Sequence, residues 1–286
     1  MNVRGVSLGG GRGLTWRDGG DPGGRPVLVL GGWGDSRLAR HPDEAATAAL
    51  GLRVVTVDRP GIGGSGPVRN RRIADWAADA AALAGTLGWD TFDVFGWSGG
   101  GPHALAIAAL LPGRVRAVGV ACGLTPLDSA EAKAALPPPV RRQVRLAVTL
   151  PPLVRLLGAG LARRAAPDPG GFADAAYRQA PPADRALFGD PAMRAMFAAN
   201  ARETYRQGGR GIADEGLALL RPWGFTPAQV RVPVRLWHGE LDATIPPAAS
   251  HALAAMLPDA HLEVLPGQGH LIGFGLWHRL LGELTS

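Results

Sequence analysis

Cysteine and lysine each occur once in 286 residues, as Cys122 and Lys133. One thiol cannot close an intrachain disulfide and supplies no cysteine-rich metal pattern. With a single lysine, the formal net charge of +6 is carried by arginine. The arginines are scattered from end to end, with no basic run and no basic–aromatic interleaving. Arginine used in place of lysine accounts for the charge, and no nucleic-acid partner is expected. Long apolar runs are missing too. The nearest approach to the roughly 20 residues of a membrane span is residues 146–161, which Pro151, Pro152 and Arg155 interrupt. The opening Met1-Asn2-Val3-Arg4-Gly5 lacks the apolar stretch of a signal peptide. These absences predict a soluble cytoplasmic protein with no membrane partner.

Hydrophobic residues make up 46% and charged residues 19%, a balance that argues for a packed chain over a disordered one. Glycine (42) and proline (25) are abundant, but they fall between apolar runs and read as turn punctuation. Short β-type runs at 26–30, 52–57, 92–95 and 115–121 alternate with helical patterns at 43–50, 73–87 and 102–111. That order predicts an α/β fold, a mostly parallel central sheet with helices on both faces. Such sheets carry their active residues on loops beyond the carboxyl ends of the strands. From 124 to 230 strand character vanishes, and helical segments separated by proline-rich breaks replace it. It returns at 232–237 and 260–265, ahead of a closing helix at 271–284. The expected domains are an α/β core, 1–123 and 231–286, interrupted by a helical cap at 124–230.

The strongest local signal is Phe95-Gly96-Trp97-Ser98-Gly99-Gly100, a G-x-S-x-G string with a β-run before it and a helical run after it. On a sharp strand-to-helix turn, glycines stand where a side chain would collide with neighbouring backbone, and the serine is presented to a cleft. A serine hydroxyl is a poor nucleophile without a base, itself oriented by a third group. Asp242, in His238-Gly239-Glu240-Leu241-Asp242, follows a strand directly. His270, in Gly267-Gln268-Gly269-His270-Leu271, lies between the last strand and the closing helix, with glycines that free it to point into a cleft. Glu240 and Asp128, the latter after the 115–121 run, remain alternatives for the acid. His41, His103, His238, His251, His261 and His278 lie in worse positions and read as surface or core residues. Donors for a developing oxyanion come most simply from the N–H of Gly99 and from Trp33, in the early loop Leu30-Gly31-Gly32-Trp33-Gly34. The glycines of Asp58-Arg59-Pro60-Gly61-Ile62-Gly63-Gly64 have the wrong spacing for a dinucleotide fingerprint and no Walker lysine, so they read as a structural turn.

Together, Leu30-Gly31-Gly32-Trp33, Asp58-Arg59-Pro60-Gly61, Gly96-Trp97-Ser98-Gly99-Gly100, Trp237 to Asp242 and Gly267-Gln268-Gly269-His270 resemble the α/β-hydrolase superfamily, in its capped serine hydrolases. Many relatives carry His-Gly in the oxyanion loop; here Gly31 takes the histidine's place and removes a side chain that commonly braces the loop. Serine at 98 argues against the epoxide hydrolases and haloalkane dehalogenases, whose nucleophile is aspartate. The resemblance implies a serine hydrolase with the triad Ser98, His270 and Asp242, acting on a small-to-medium carboxylic ester, lactone or thioester and needing no cofactor or metal. Acyl transfer or cyclisation by the same triad, and a ligand-binding receptor on the same scaffold, are the other readings. Trp97, Leu150, Leu153 and Phe197 are the candidate substrate contacts, and Leu157, Phe172, Phe188 and Met196 could line the same pocket.

Overall fold

Period-two alternation puts side chains on both faces of a strand, and here both faces are covered. In the computed structural model, which describes residues 4–128, 132–133 and 138–286, the chain opens with a hairpin, β1 (Arg4–Ser7) and β2 (Gly13–Gly20). The apolar runs become β3 (Arg25–Leu30), β4 (Leu52–Val57), β5 (Phe92–Trp97), β6 (Val115–Ala121), β7 (Val234–Gly239) and β8 (Ala260–Leu265). They form one sheet in the order β1-β2-β4-β3-β5-β6-β7-β8, parallel throughout except for the hairpin. Along β3, Leu28 and Leu30 enter one core while Val27 and Val29 enter the other. β5 divides in the same way, Phe92 and Val94 against Phe95 and Trp97. Strands buried on both faces read as continuous apolar runs, which is why the sequence shows them so clearly.

Helices supply the covering. α1 (Glu44–Ala49) begins at Asp43, whose side chain accepts from the Ala46 N–H. α2 (Trp76–Thr86) and α3 (Gly100–Leu110) close one face with Trp76, Leu83, Leu105 and Ile107. Between β6 and β7 the described elements are all helical: α4 (Pro138–Thr149), α5 (Pro151–Ala165), α6 (Pro169–Gln179), α7 (Pro182–Arg185), α8 (Pro191–Thr204) and α9 (Arg210–Leu220), with short 3-10 turns. α10 (Ala248–Met256) joins β7 to β8, and α11 (Ile272–Gly275) and α12 (Trp277–Thr285) end the chain. Trp277, Leu280, Leu281 and Leu284 of α12 fill the second core. Among the described residues no single helix is long and apolar enough to cross a membrane.

Three expectations need correcting. The N-terminal hairpin was not anticipated, because only Leu14 and Trp16 mark the apolar face of a glycine-rich strand; both are buried. The closing helix breaks at Leu276, where α11 gives way to α12. Its glycines serve close packing: a Cβ on Gly273 would stand 3.0 Å from the Trp97 side chain. The end of the expected insertion also belongs to the core. Trp223, Phe225 and Val230 pack in the same cluster as Ile73 and Trp76, and the Ala74 N–H donates to the Trp223 carbonyl.

The helix–sheet contact at α3 is tight enough to test. A Cβ on Gly100 would collide with the Leu30 carbonyl oxygen, a backbone atom of a central strand that cannot move aside. Gly100→Ala should cost about 1–3 kcal/mol of stability, the usual range for overpacking, seen as a lower urea midpoint. An unchanged midpoint would show that the elbow and β3 are less tightly apposed than this.

Candidate active site

The turn after β5 places Ser98 at φ 50°, in the left-handed region that non-glycine residues seldom occupy. Its N–H donates to the Ala121 carbonyl at 2.8 Å, which ties the turn to the end of β6. Gly96 is needed because a Cβ there would lie 2.5 Å from the Gly100 carbonyl oxygen. The strain therefore falls on Ser98, whose side chain is lifted out of the turn.

Ser98, Asp242 and His270 follow β5, β7 and β8, and the three loops meet at one end of the sheet. The Ser98 hydroxyl lies 3.0 Å from His270 Nε2 and can donate to it, while His270 Nδ1 lies 2.7 Å from Asp242 Oδ2. The other Asp242 oxygen accepts from the N–H groups of Thr244 (2.8 Å) and Ile245 (2.9 Å). His238 Nε2 stands 3.2 Å from Oδ2. Burial opposes the charge of Asp242, but hydrogen bonds from His238 and His270, the His270 charge and the Ile245 N–H outweigh it. The carboxyl is held well below the usual carboxylate range. His238 is itself fixed, with Nδ1 2.6 Å from the Ser250 hydroxyl and Nε2 2.8 Å from the Ile245 carbonyl.

The alternative acids are elsewhere. Glu240 accepts from the Gly267 N–H at 3.0 Å on the surface, and Asp128 is exposed. Two supporting residues of the site gave no local signal. The sequence suggests a surface or core role for His238, and it is buried, but it also lies 3.2 Å from Asp242 Oδ2. Asp184 of α7 was unremarked; its carboxylate accepts from the Leu271 N–H at 2.7 Å and steadies the loop that carries His270.

Trp33 and Gly99 come together across the loops after β3 and β5. A Cβ on Gly99 would sit 2.8 Å from the Trp33 nitrogen, an approach only glycine allows. Among the described residues neither the Trp33 nor the Gly99 N–H has an internal acceptor. The Trp33 indole is 53% exposed and lies over the site, donating to the Ile212 carbonyl at 2.9 Å.

Three cavities meet at this indole, and two of them reach Ser98 or His270. One, of about 630 Å³, is lined by Ser98, Gly99, Leu146, Leu153, Leu157 and Leu219. The other, of about 400 Å³, is lined by His270, Phe172, Phe188, Phe197, Asn200 and Tyr205. Leu153 and Phe197 thus face different cavities. Leu150 lines neither; at the head of α5 it is 49% exposed. Trp97 points away from the cleft into the second core, 4.7 Å from the Phe274 ring centroid, since residues adjacent in a strand face opposite sides. Met196 is likewise a core residue.

Cys122, Asp242 and His270 bring potential metal ligands within 4.8 Å of one another. Their chemistry fits a metal poorly. Burial pushes the Cys122 thiol up, away from the thiolate, and the aspartate and histidine are bonded to each other.

Residues 25–275 match the model of a family described as alpha/beta hydrolase fold. Among curated proteins, the chain is 35% identical over 253 residues to the pimeloyl-[acyl-carrier protein] methyl ester esterase of Aromatoleum aromaticum, covering 86% of this chain and 91% of that one. Among solved structures, the enol-lactonase from Burkholderia xenovorans superposes with a TM-score of 0.72 at 20% identity, over 99% of both chains. A thermophilic esterase from Thermogutta terrifontis does so with a TM-score of 0.65 at 23% identity, over 99% of this chain and 96% of that one. At these identities the two structures speak to the fold.

The depressed Asp242 carboxyl makes a stability prediction with a definite sign. An acid whose folded pKa lies below its unfolded value stabilises the fold above the unfolded value, and that contribution is lost as pH falls through the folded one. Asp242→Asn should therefore be less stable than the parent by about 1–3 kcal/mol near neutral pH, as for a damaged buried hydrogen-bond set. The gap should narrow below about pH 4, the unfolded aspartate value. Urea denaturation across pH checks this; a gap that widens on acidification would contradict the assignment.

Proposed function

The chain belongs to the α/β-hydrolase fold family and is an esterase-type hydrolase, and on that premise we propose that Ser98, His270 and Asp242 form its catalytic triad, acting on a small-to-medium carboxylic ester, lactone or thioester. The observation that carries this reading is the unbroken chain from the Ser98 hydroxyl through both nitrogens of His270 to a buried, ionised carboxylate.

The chemistry runs as follows. Ser98 Oγ attacks the acyl carbon as its proton passes to His270 Nε2. The imidazolium that forms is stabilised at Nδ1 by Asp242, which also fixes the tautomer that leaves Nε2 free to accept. The carbonyl oxygen takes up negative charge beside the N–H groups of Gly99 and Trp33, which are free to donate. His270 then returns the proton to the departing oxygen or sulfur and leaves Ser98 acylated. Water, deprotonated by the same imidazole, adds to the acyl carbon, and expulsion of Ser98 restores the enzyme. No step needs a metal or organic cofactor.

The inserted helices act as a cap that divides the substrate. The acyl carbon must bond to Ser98, so the aliphatic cavity beside Ser98 and Gly99 takes the acyl chain. The leaving atom must lie within reach of His270 Nε2, so the aromatic cavity takes the alcohol or thiol portion. The relative from Aromatoleum, by its name an esterase of a pimeloyl-[acyl-carrier protein] methyl ester, supports a carboxylic ester as the substrate class.

Ser98→Ala should fold normally and lose at least about 10³-fold in kcat towards p-nitrophenyl esters. A small fluorophosphonate should add once per chain, at Ser98, and much more slowly in His270→Ala. Labelling elsewhere, or a Ser98→Ala variant near wild-type turnover, ends the proposal.

A second experiment tests the division of the substrate. Leu153→Trp should lower kcat/KM for octanoyl relative to acetyl esters by about 10-fold or more, since single methylenes count in such pockets. Phe197→Trp should instead alter the preference among alcohol groups. The reverse pattern would exchange the two cavities.

A further inference from the structure

The two peptide groups on either side of Gly32 contain four polar groups, and three of them are taken. The Gly31 carbonyl accepts from Arg59 Nη1 at 2.7 Å, the Gly32 carbonyl from Arg59 Nη2 at 2.6 Å and from the Asp35 N–H at 3.1 Å, and the Gly32 N–H donates to Asp35 Oδ2 at 2.8 Å. The fourth is the Trp33 N–H. In a trans peptide the C=O and N–H point in opposite directions, so whatever holds the Gly32 oxygen also aims the Trp33 hydrogen. Its nitrogen lies against the turn that carries Gly99, 2.8 Å from where a Cβ on Gly99 would stand.

Arg59 is fully buried, and so is its partner, Glu215 of α9, which accepts from Arg59 Nε. Only a guanidinium can serve here: its planar fork reaches two carbonyls with one edge while Nε meets a carboxylate. The loop after β4 can deliver it because β4 pairs directly with β3. The inserted helices hold the same loop at further points. Asn200 Nδ2 donates to Asp35 Oδ1 at 2.7 Å, Thr204 Oγ1 donates to the Gly34 carbonyl at 2.6 Å, and the Trp33 indole donates to Ile212.

We propose that Arg59 is a positioning residue for the oxyanion hole, and that Glu215, by gripping Arg59 from the cap, makes the seating of the cap a condition for aiming the Trp33 N–H. It takes over the bracing that the histidine at the Gly31 position would have supplied. This rests on the serine-hydrolase reading above. Arg59 touches no substrate; its effect passes through the Gly32–Trp33 peptide.

The test compares an oxo ester with its thionoester, whose sulfur is a weak acceptor and gains little from N–H donors. Parent, Arg59→Lys and Glu215→Gln proteins are assayed with both, with folding checked by circular dichroism. In Arg59→Lys, kcat for the oxo ester should fall by about 10²-fold, as when one oxyanion donor is lost. KM and the acid limb of the pH profile should stay in place, and the thionoester rate should change little. Affinity for a trifluoromethyl ketone, whose adduct carries the oxyanion, should fall in step with kcat/KM. Glu215→Gln, nearly isosteric and still able to accept from Nε, should shift the ester-to-thionoester ratio in the same direction by less. If Arg59→Lys does not fold, that ratio in Glu215→Gln decides. Equal losses with both esters, or a folded variant with the parental ratio, would overturn the proposal. A parent protein that hydrolyses neither ester, or does so without Ser98, would instead fail the underlying reading.

Discussion

Everything at the site depends on how closely two backbone segments approach, the turn after β5 and the loop after β3. A Cβ on Gly99 would stand 2.8 Å from the Trp33 nitrogen, and one on Gly100 would strike the Leu30 carbonyl. Parallel pairing of β3 with β5 brings the two carboxyl ends side by side, and the missing side chains let them touch. The other loops follow from the same edge. β6, β7 and β8 continue the sheet beyond β5, and the turns after β7 and β8 bring Asp242 and His270 to Ser98. β6 contributes Cys122, whose N–H donates to the Trp237 carbonyl and whose thiol stays buried beneath the triad.

Around this backbone contact lies an unusual amount of buried charge. Arg59 and Glu215 are one pair; Arg37 is bonded to both Asp58 and Glu203; Asp58 also accepts from the Arg37 N–H (2.6 Å), the Gly64 N–H (2.9 Å) and Thr15 Oγ1 (2.6 Å). Burial pushes the Asp35 carboxyl up against its hydrogen bond from Asn200, and His103 under the elbow is driven well below its usual value by burial, Arg59 and Arg71. Desolvating such groups costs several kcal/mol per ion before pairing offsets it, so apolar replacements of the same shape would stabilise the fold at least as well. What apolar groups cannot do is hold carbonyls and N–H groups at set angles. The buried ions converge on the loops after β3 and β4 and on the helices α8 and α9, the parts whose relative placement defines the cleft.

The features legible in the sequence were those whose cause is local. Apolar runs buried on both faces announced β3 to β7, while β8, at the sheet edge with only Leu265 buried, is a mixed run. The order of Ser98, Asp242 and His270, each beside a strand end or flanking glycines, marked the residues that the fold draws together. The features that were not legible have distant causes. Leu14 and Trp16 lie in a strand only because β1 and β4 pair with it on either side. Trp97 sits next to Ser98 in sequence yet belongs to the core, because alternation along β5 sends its ring towards Phe274 and Gly273 leaves room for it. Arg59 looked like part of a structural turn. Its partner Glu215 is 156 residues away, inside a helix with no pattern to single it out.

This unequal distribution of contacts divides the cap into two unlike halves. α8 and α9 are bound to the loop after β3 by Asn200, Thr204, Glu215 and the Ile212 carbonyl, so displacing them would break its hydrogen bonds. α4 has no buried residue at all, and Leu156 and Leu157 of α5 stand largely exposed. A segment with few buried apolar contacts opens at low free energy, whereas one tied into a hydrogen-bonded core opens only with that core. Of the aliphatic cavity's wall, Leu146 on α4 is therefore weakly held, whereas Leu153 and Leu157 ride on α5, whose Gly158 packs against the Gly209 backbone and whose Arg155 bonds Asp214. Asn200 and Thr204 in the wall of the aromatic cavity are tied to the loop after β3. On the serine-hydrolase proposal, a long or branched acyl group is accommodated by yielding at α4 without disturbing the loop after β3. The aromatic cavity has no such freedom where Asn200 and Thr204 in its wall are hydrogen-bonded to Asp35 and Gly34 of the loop after β3.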